Sequence, residues 1–241
     1  MPTVTSLTVA DIAATSLAAV RVFERLGIDY CCGGKRPLGE VCQEKGLDAA
    51  AVQQELDAAA SAPEAAGCDW TTAPLRDLVD HIVTTHHEYL KREFQPLAER
   101  LEKVYRVYNE RYGPTLVALP EVYAGLRSEL ETHMFKEERM LFPAIVAVES
   151  AAVSGAPPPR TPFGPLANPI GMMENEHESA GQALSRIRTI TGDFAIPGYA
   201  CVTYRALMCG LQELEQDLHL HIHLENNIVF PRAIELERSR G

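Results

Sequence analysis

Two stretches in the second half of this 241-residue chain read alike. His133-Met134-Phe135-Lys136-Glu137 leads, after four intervening residues, to Phe142-Pro143, and His221-Ile222-His223-Leu224-Glu225 leads at the same distance to Phe230-Pro231. At ~3.6 residues per turn, His and Glu at i, i+4 leave one face of a helix about 6 Å apart along its axis. An imidazole beside a carboxylate is half of a metal site, and two copies imply two halves and two ions. Each proline removes an N–H and costs ~3 kcal/mol inside a helix. Two helices are therefore predicted to kink or stop at equal distances from their His-Glu pairs, as in a pseudo-twofold bundle.

The surrounding chain supplies the other helices. Periodicity and breakers place four long helices at about 75–110, 115–149, 167–192 and 198–237. They are separated by Gly113-Pro114, a proline-rich loop from Gly155 to Pro165, and Pro197-Gly198. Pro74 suits the first helix start, and Leu78, Ile82, Leu90, Phe94 and Leu97 follow at helical spacing. Helices of this length predict an all-α fold, an antiparallel four-helix bundle. All eight histidines lie after residue 80, at least one on each helix: His81, His86 and His87; His133; His177; His219, His221 and His223. Imidazole and carboxylate without thiolate suit iron, manganese or zinc. A ferritin-type centre needs two Glu-x-x-His motifs and only Glu174 with His177 fits. No His-Glu-x-x-His is present, which disfavours zinc hydrolysis. His219 and His223 flank His221 by two residues, so they are expected to point away from its site.

Residues 1–62 are predicted to form a small helical N-terminal domain, and 70–241 the bundle. One short helix is followed by a second capped near Thr15 or Ser16 and stopped by Gly27. A third spans Leu38 to Lys45, and a fourth follows Asp48 from Ala49 to Ala60. Between the second and third lies the turn Cys31-Cys32-Gly33-Gly34, where two glycines would allow positive φ. Ser61-Ala62-Pro63-Glu64-Ala65-Ala66-Gly67 is the linker candidate. The six cysteines form no C-x-x-C pair, and the vicinal Cys31 and Cys32 are expected to be thiols in a reducing compartment. A net charge of −11 argues against nucleic acid as partner. No apolar run approaches the ~20 residues of a membrane span, and the start lacks the layout of a signal peptide. A cytoplasmic protein, monomer or homodimer, is the expectation.

Read in order, these motifs carry a resemblance. Asp29-Tyr30-Cys31-Cys32-Gly33-Gly34-Lys35 precedes Asp80-His81-Ile82-Val83 and the His133 block. Met173-Glu174-x-Glu176-His177-x-x-Ala180-Gly181 and Leu224-Glu225-Asn226-Asn227-x-x-Phe230-Pro231-Arg232 follow. Nearly the whole chain resembles the repair-of-iron-centres family, di-iron proteins with a hemerythrin-like domain. The resemblance implies two non-haem iron ions, with manganese as the alternative at one site. Their ligands would be His87, His133, His177 and His221, bridged by Glu137 and Glu225. Glu129 and Glu176 fall where the family has acidic residues close to the metals, on a proton or iron route. Cys31 and Cys32 match a thiol pair suspected of redox or iron-transfer work, with a purely structural role as the alternative. One departure concerns the first helix, where the family has a further ligand histidine and this chain has Tyr108, with Tyr105 nearly one turn away. Either Tyr108 ligates one metal or water fills that position. The implied function is repair of iron–sulfur proteins damaged by nitrosative or oxidative stress, through iron donation or reduction of nitric oxide. The alternatives are a protein that binds or senses small diatomic ligands without turnover, and a di-iron oxidase that uses the tyrosine.

Overall fold

A computed structural model describes residues 7–61, 69–112, 116–157 and 159–240. Of the predicted linker Ser61–Gly67, Ser61 ends a helix and 62–67 lie outside the described residues, as does the break at Gly113-Pro114. Among those described, the chain is helical with no strand, as the periodicity predicts. The helices are α1 (Val9–Thr15), α2 (Leu17–Leu26), α3 (Leu38–Lys45), α4 (Ala49–Ser61), α5 (Leu75–His81), α6 (Glu88–Tyr112), α7 (Leu119–Lys136), α8 (Phe142–Ser154), α9 (Ala167–Thr191), α10 (Val202–Leu224) and α11 (Phe230–Arg238). Three π-helical turns interrupt them, at Ile82–His87, Glu137–Leu141 and Glu225–Val229. Contacts divide the chain into two compact units.

One unit comprises Met1–Val79, Val148–Pro158 and His219–Gly241. Local chemistry sets its first helices. Thr8 and Asp11 form a reciprocal capping box at the start of α1. Ser16 ends α1 and accepts from the Ala19 N–H to cap α2, and Gly27 closes α2 at φ 61°. Phe23, Tyr30, Leu38, Val52 and Leu56 form the core with Ile222 from the end of α10. Elsewhere in the unit, the Glu149 carboxylate accepts from the Leu75 and Arg76 N–H groups at 2.6 and 2.9 Å, capping α5. Arg232 donates to the carbonyls of Trp70 and Ala73.

The Cys-Cys-Gly-Gly turn departs from expectation. Neither Gly33 nor Gly34 has positive φ. Glycine is required for closeness instead: a Cβ on Gly34 would lie 2.5 Å from the Tyr30 carbonyl oxygen, and one on Gly33 2.9 Å from an Asp29 carboxylate oxygen. That carboxylate accepts from the N–H groups of Cys31, Cys32 and Gly33 at 3.0, 2.9 and 2.8 Å, folding the turn around itself.

The second unit, Asp80–Ala147 with Pro159–Leu218, contains the long helical rods α6, α7, α9 and α10 up to Leu218. Leu90, Phe94, Leu97, Leu101, Val104 and Tyr108 form an inward stripe on α6 at three- and four-residue spacing, and Leu207, Leu211, Leu214 and Leu218 do so on α10. Gly210 lets α10 approach α6, since a Cβ there would sit 2.7 Å from a Leu97 methyl. Each fully buried Leu or Phe of these stripes contributes about 1.5–3 kcal/mol. No helix among the described residues is long and apolar enough to cross a membrane.

Candidate metal centre

The predicted kinks are π turns, and they begin or end on the predicted ligands. The Phe142 N–H bonds the Glu137 carbonyl and the Phe230 N–H bonds the Glu225 carbonyl, five residues back. A wide turn just before each proline accommodates a residue that cannot donate, so the helices run on without stopping. The third π turn ends at His87, and its greater number of residues per turn puts the adjacent His86 and His87 both inside. Sequence reasoning had no proline there to reveal it.

In the second unit the polar groups take places in the apolar stripes. On α7 and the π turn after it the buried positions run Leu126, Leu130, His133, Glu137; on α9 they run Met173, His177, Ala180, Leu184. Glu137 is fully buried, and its two oxygens face imidazoles from two helices: Oε1 lies 3.3 Å from His133 Nε2 and Oε2 3.4 Å from His87 Nε2. His177 Nε2 lies 3.0 Å from His133 Nε2. The candidate ligand atoms of His133, Glu137 and His177 all fall within 4.8 Å of one another. A carboxylate costs a great deal to bury without a compensating cation. Three converging imidazole nitrogens and one carboxylate fit iron, manganese or zinc, so the residues present suit the expected metal.

Two of these histidines are held from behind by matching groups. His87 Nδ1 donates to Glu138 Oε1 at 2.9 Å, and that carboxylate also accepts from Lys91 at 2.8 Å. His133 Nδ1 donates to Glu176 Oε2 at 2.9 Å, and Lys136 reaches the other Glu176 oxygen. A proton held on Nδ1 leaves the Nε2 lone pair for a metal. Partial burial works to raise both carboxyls, but the lysine and histidine hydrogen bonds outweigh it and hold Glu138 and Glu176 below the ordinary range. Glu138 and Lys91 were missed from the sequence. Their signal was the second acid directly after Glu137 and a lysine one turn after His87.

In the first unit His221 Nε2 lies 2.9 Å from Glu225 Oε1, both inside the core. The residues that follow grip the thiol turn: Asn226 Nδ2 donates to the Cys31 carbonyl at 3.2 Å and Asn227 Nδ2 to the Tyr30 carbonyl at 2.9 Å. Cys31 and Cys32 are thiols with sulfurs 3.5 Å apart. The hydrogen bond to Cys32, burial and the neighbouring Asp29 push the Cys31 thiol well above its ordinary range.

Tyr108 is corrected as a metal ligand. It follows His87 by 21 residues on one helical rod, about 30 Å at 1.5 Å per residue, so it cannot share that centre. Its ring packs against Tyr199 and Tyr204, and its hydroxyl accepts from the Cys201 N–H at 2.8 Å. Tyr105, about a turn earlier, lines a surface groove between α6 and α7. Glu129 is exposed and accepts from Ser179 at 3.1 Å. His219 and His223 serve the first unit: His219 bonds Glu24 at 2.9 Å, and His223 bonds Asn227 and makes a T-shaped contact with Tyr30. His86 bonds Asp217 at 2.9 Å.

A helical bundle with buried histidines and carboxylates defines a cation-binding protein of the hemerythrin type. Residues 78–233 match the hemerythrin HHE cation binding domain, and residues 5–60 match ScdA_N, a domain of unknown function. The iron–sulfur cluster repair protein YtfE of Citrobacter koseri is 36% identical over 217 residues, 90% of this chain and 91% of that protein. Those of Edwardsiella ictaluri and Dickeya chrysanthemi are 38% identical over 216 residues and 34% over 227. They cover 90% and 94% of this chain, and 91% and 96% of their own lengths. The chain belongs to the YtfE family of iron–sulfur cluster repair proteins.

Proposed function

We propose that this protein holds two iron ions through His87, His133, His177 and His221, with Glu137 and Glu225 as shared carboxylates, and acts in the repair of damaged iron–sulfur proteins. The observation that carries the reading is Glu137, fully buried with one oxygen turned to an imidazole from each of two helices. The repeat extends it to Glu225, which is also fully buried, four residues after His221 and at the head of its own π turn. The names of the relatives, and the match of residues 78–233 to a cation-binding domain, support the repair role. Manganese is the alternative at one position.

When bound, iron supplies redox and Lewis-acid chemistry toward nitric oxide or dioxygen, and a store that can be donated. The residues define what the protein adds. Glu138 and Glu176 hold the Nδ1 protons of His87 and His133, so both rings present Nε2 inward. Glu176 is partly exposed beside Lys136, a station where a proton or an iron ion passes between the buried site and solvent, and Glu129 is a further acidic group on that route. Residues 1–62 then serve as an N-terminal domain and 70–241 as the iron-binding domain, in a cytoplasmic monomer or homodimer.

Metal analysis of anaerobically purified protein tests the reading. About two irons per chain are expected, falling in His177→Ala and Glu225→Ala. Less than one metal per chain in the unaltered protein overturns it. Nitrous oxide formed over several turnovers selects nitric oxide reduction, and transfer of iron to a cluster-depleted protein selects donation. Stoichiometric binding with neither outcome selects a diatomic-ligand sensor.

A further inference from the structure

The two His-Glu repeats differ immediately after the glutamate. The first continues Glu137-Glu138-Arg139, and Glu138 turns to His87. The second continues Glu225-Asn226-Asn227, with two amides in place of the acid and the base. Both reach the thiol turn instead. Two consecutive amides donate to two consecutive carbonyls, Asn226 to Cys31 and Asn227 to Tyr30. The receiving backbone is itself rigid, with three of its N–H groups taken up by Asp29 and no room for a side chain at Gly34. Asn227 is fixed further by His223, whose ring makes a T-shaped contact with Tyr30. The π turn that starts at Glu225 therefore ends its polar side on the backbone of Cys31.

We propose that Asn226 and Asn227 are positioning residues that lock the Cys31-Cys32 turn to the Glu225 segment, so that metal held at Glu225 controls how often the buried Cys31 thiol becomes accessible. The coupling rests on the reading of Glu225 as a metal ligand; the locking does not. A ligand on Glu225 stiffens its π turn, and the turn carries both amides. Opening of the thiol turn requires those two hydrogen bonds to break, while α1 to α4 retain their own core.

The test is site-resolved alkylation by iodoacetamide, read by mass spectrometry at one pH on full-length protein with and without iron. In the metal-free protein, Asn226→Ala/Asn227→Ala is expected to speed modification of Cys31 by about tenfold, the effect of losing one buried and one part-buried hydrogen bond. Iron is expected to slow modification of Cys31 in the unaltered protein and to have no effect in the double variant. Cys42, fully buried in α3 of the same core, reports unfolding of the N-terminal helices and is expected to stay slow. The single change Asn227→Ser, at a half-buried position, gives a milder acceleration confined to Cys31. Equal Cys31 rates in variant and unaltered protein overturn the locking, as does Cys42 accelerating along with Cys31. Iron protection that survives in the double variant overturns the coupling. If the unaltered protein takes up no iron, the metal reading fails, while the metal-free comparison still decides the role of the asparagines.

Discussion

His87 Nε2 and Glu137 Oε2 lie 3.4 Å apart with both side chains fully buried, joining helices that are distant in sequence. A carboxylate in that setting is stabilising with a cation and costly without one. Glu137→Gln is therefore expected to act with opposite signs. Metal-free protein should gain about 1–3 kcal/mol from removal of a buried charge, whereas protein supplied with iron should lose both metal and its metal-dependent stabilisation. Thermal melts with and without chelator check this, and a loss of stability in both conditions would count against a metal at Glu137.

The Glu138–Lys91 and Glu176–Lys136 pairs each hold one histidine from behind. Replacing either glutamate with alanine frees the Nδ1 proton and the ring orientation, and metal affinity should fall about 10–100-fold. Glu129→Ala removes an exposed carboxylate on Ser179 and should leave affinity unchanged. Competition with a chromogenic chelator separates the three variants.

Tyr108→Phe should leave iron content and the visible spectrum unchanged, because Tyr108 stands far from the histidines. It should instead act on Cys201. The Tyr108 hydroxyl, then the backbone N–H groups of Tyr204 and Thr203, hold the Cys201 thiol below its ordinary range. A lowered thiol has more thiolate at neutral pH, so loss of the hydroxyl shifts the alkylation profile of Cys201 to higher pH. The rate at pH 7 should fall by about threefold. An altered iron spectrum in this variant would reinstate the phenolate ligand.

Arg188 clamps the end of α9. It donates to both oxygens of the buried Glu215, through Nε at 3.1 Å, and also to Asp193, while lying over the Phe194 ring. Arg188→Ala strands the Glu215 carboxylate and should cost about 2 kcal/mol, reduced from the full buried-pair value by the partial exposure of Arg188. Adding Glu215→Gln to that variant should recover part of the loss in urea denaturation.

Much of this centre is local in origin and so legible in the chain. His and Glu at i, i+4 must share a helix face, and hydrophobic periodicity says which face is buried. The pairs His133–Glu137 and His221–Glu225 could therefore be proposed as half-sites before any packing was known, whereas His177 entered as a ligand only through the family resemblance. The breakers around α2, α3 and α9 likewise act within a few residues, and the helix ends follow them closely.

The remainder depends on what lies across from a residue, which spacing does not encode. Tyr108 occupies a place that fits a family ligand by alignment, but a rise of ~1.5 Å per residue carries it far from His87. The opposite happened with Glu138, Lys91 and the two asparagines, which gain meaning only from partners on other helices. The two Phe-Pro pairs announced a disturbance in each helix, yet whether proline ends a helix or widens it is decided by whether the next turn still buries apolar surface. The turns after Pro143 and Pro231 do so, with Ile145 and Val148 buried in one and Ala233 in the other. By itself the sequence determined the helices, their inward faces and the metal-ligand residue types, because these follow from covalent spacing and local hydrogen bonding. Tertiary packing alone decided which carboxylate holds which imidazole, where the thiol turn is fastened, and that Tyr108 serves Cys201.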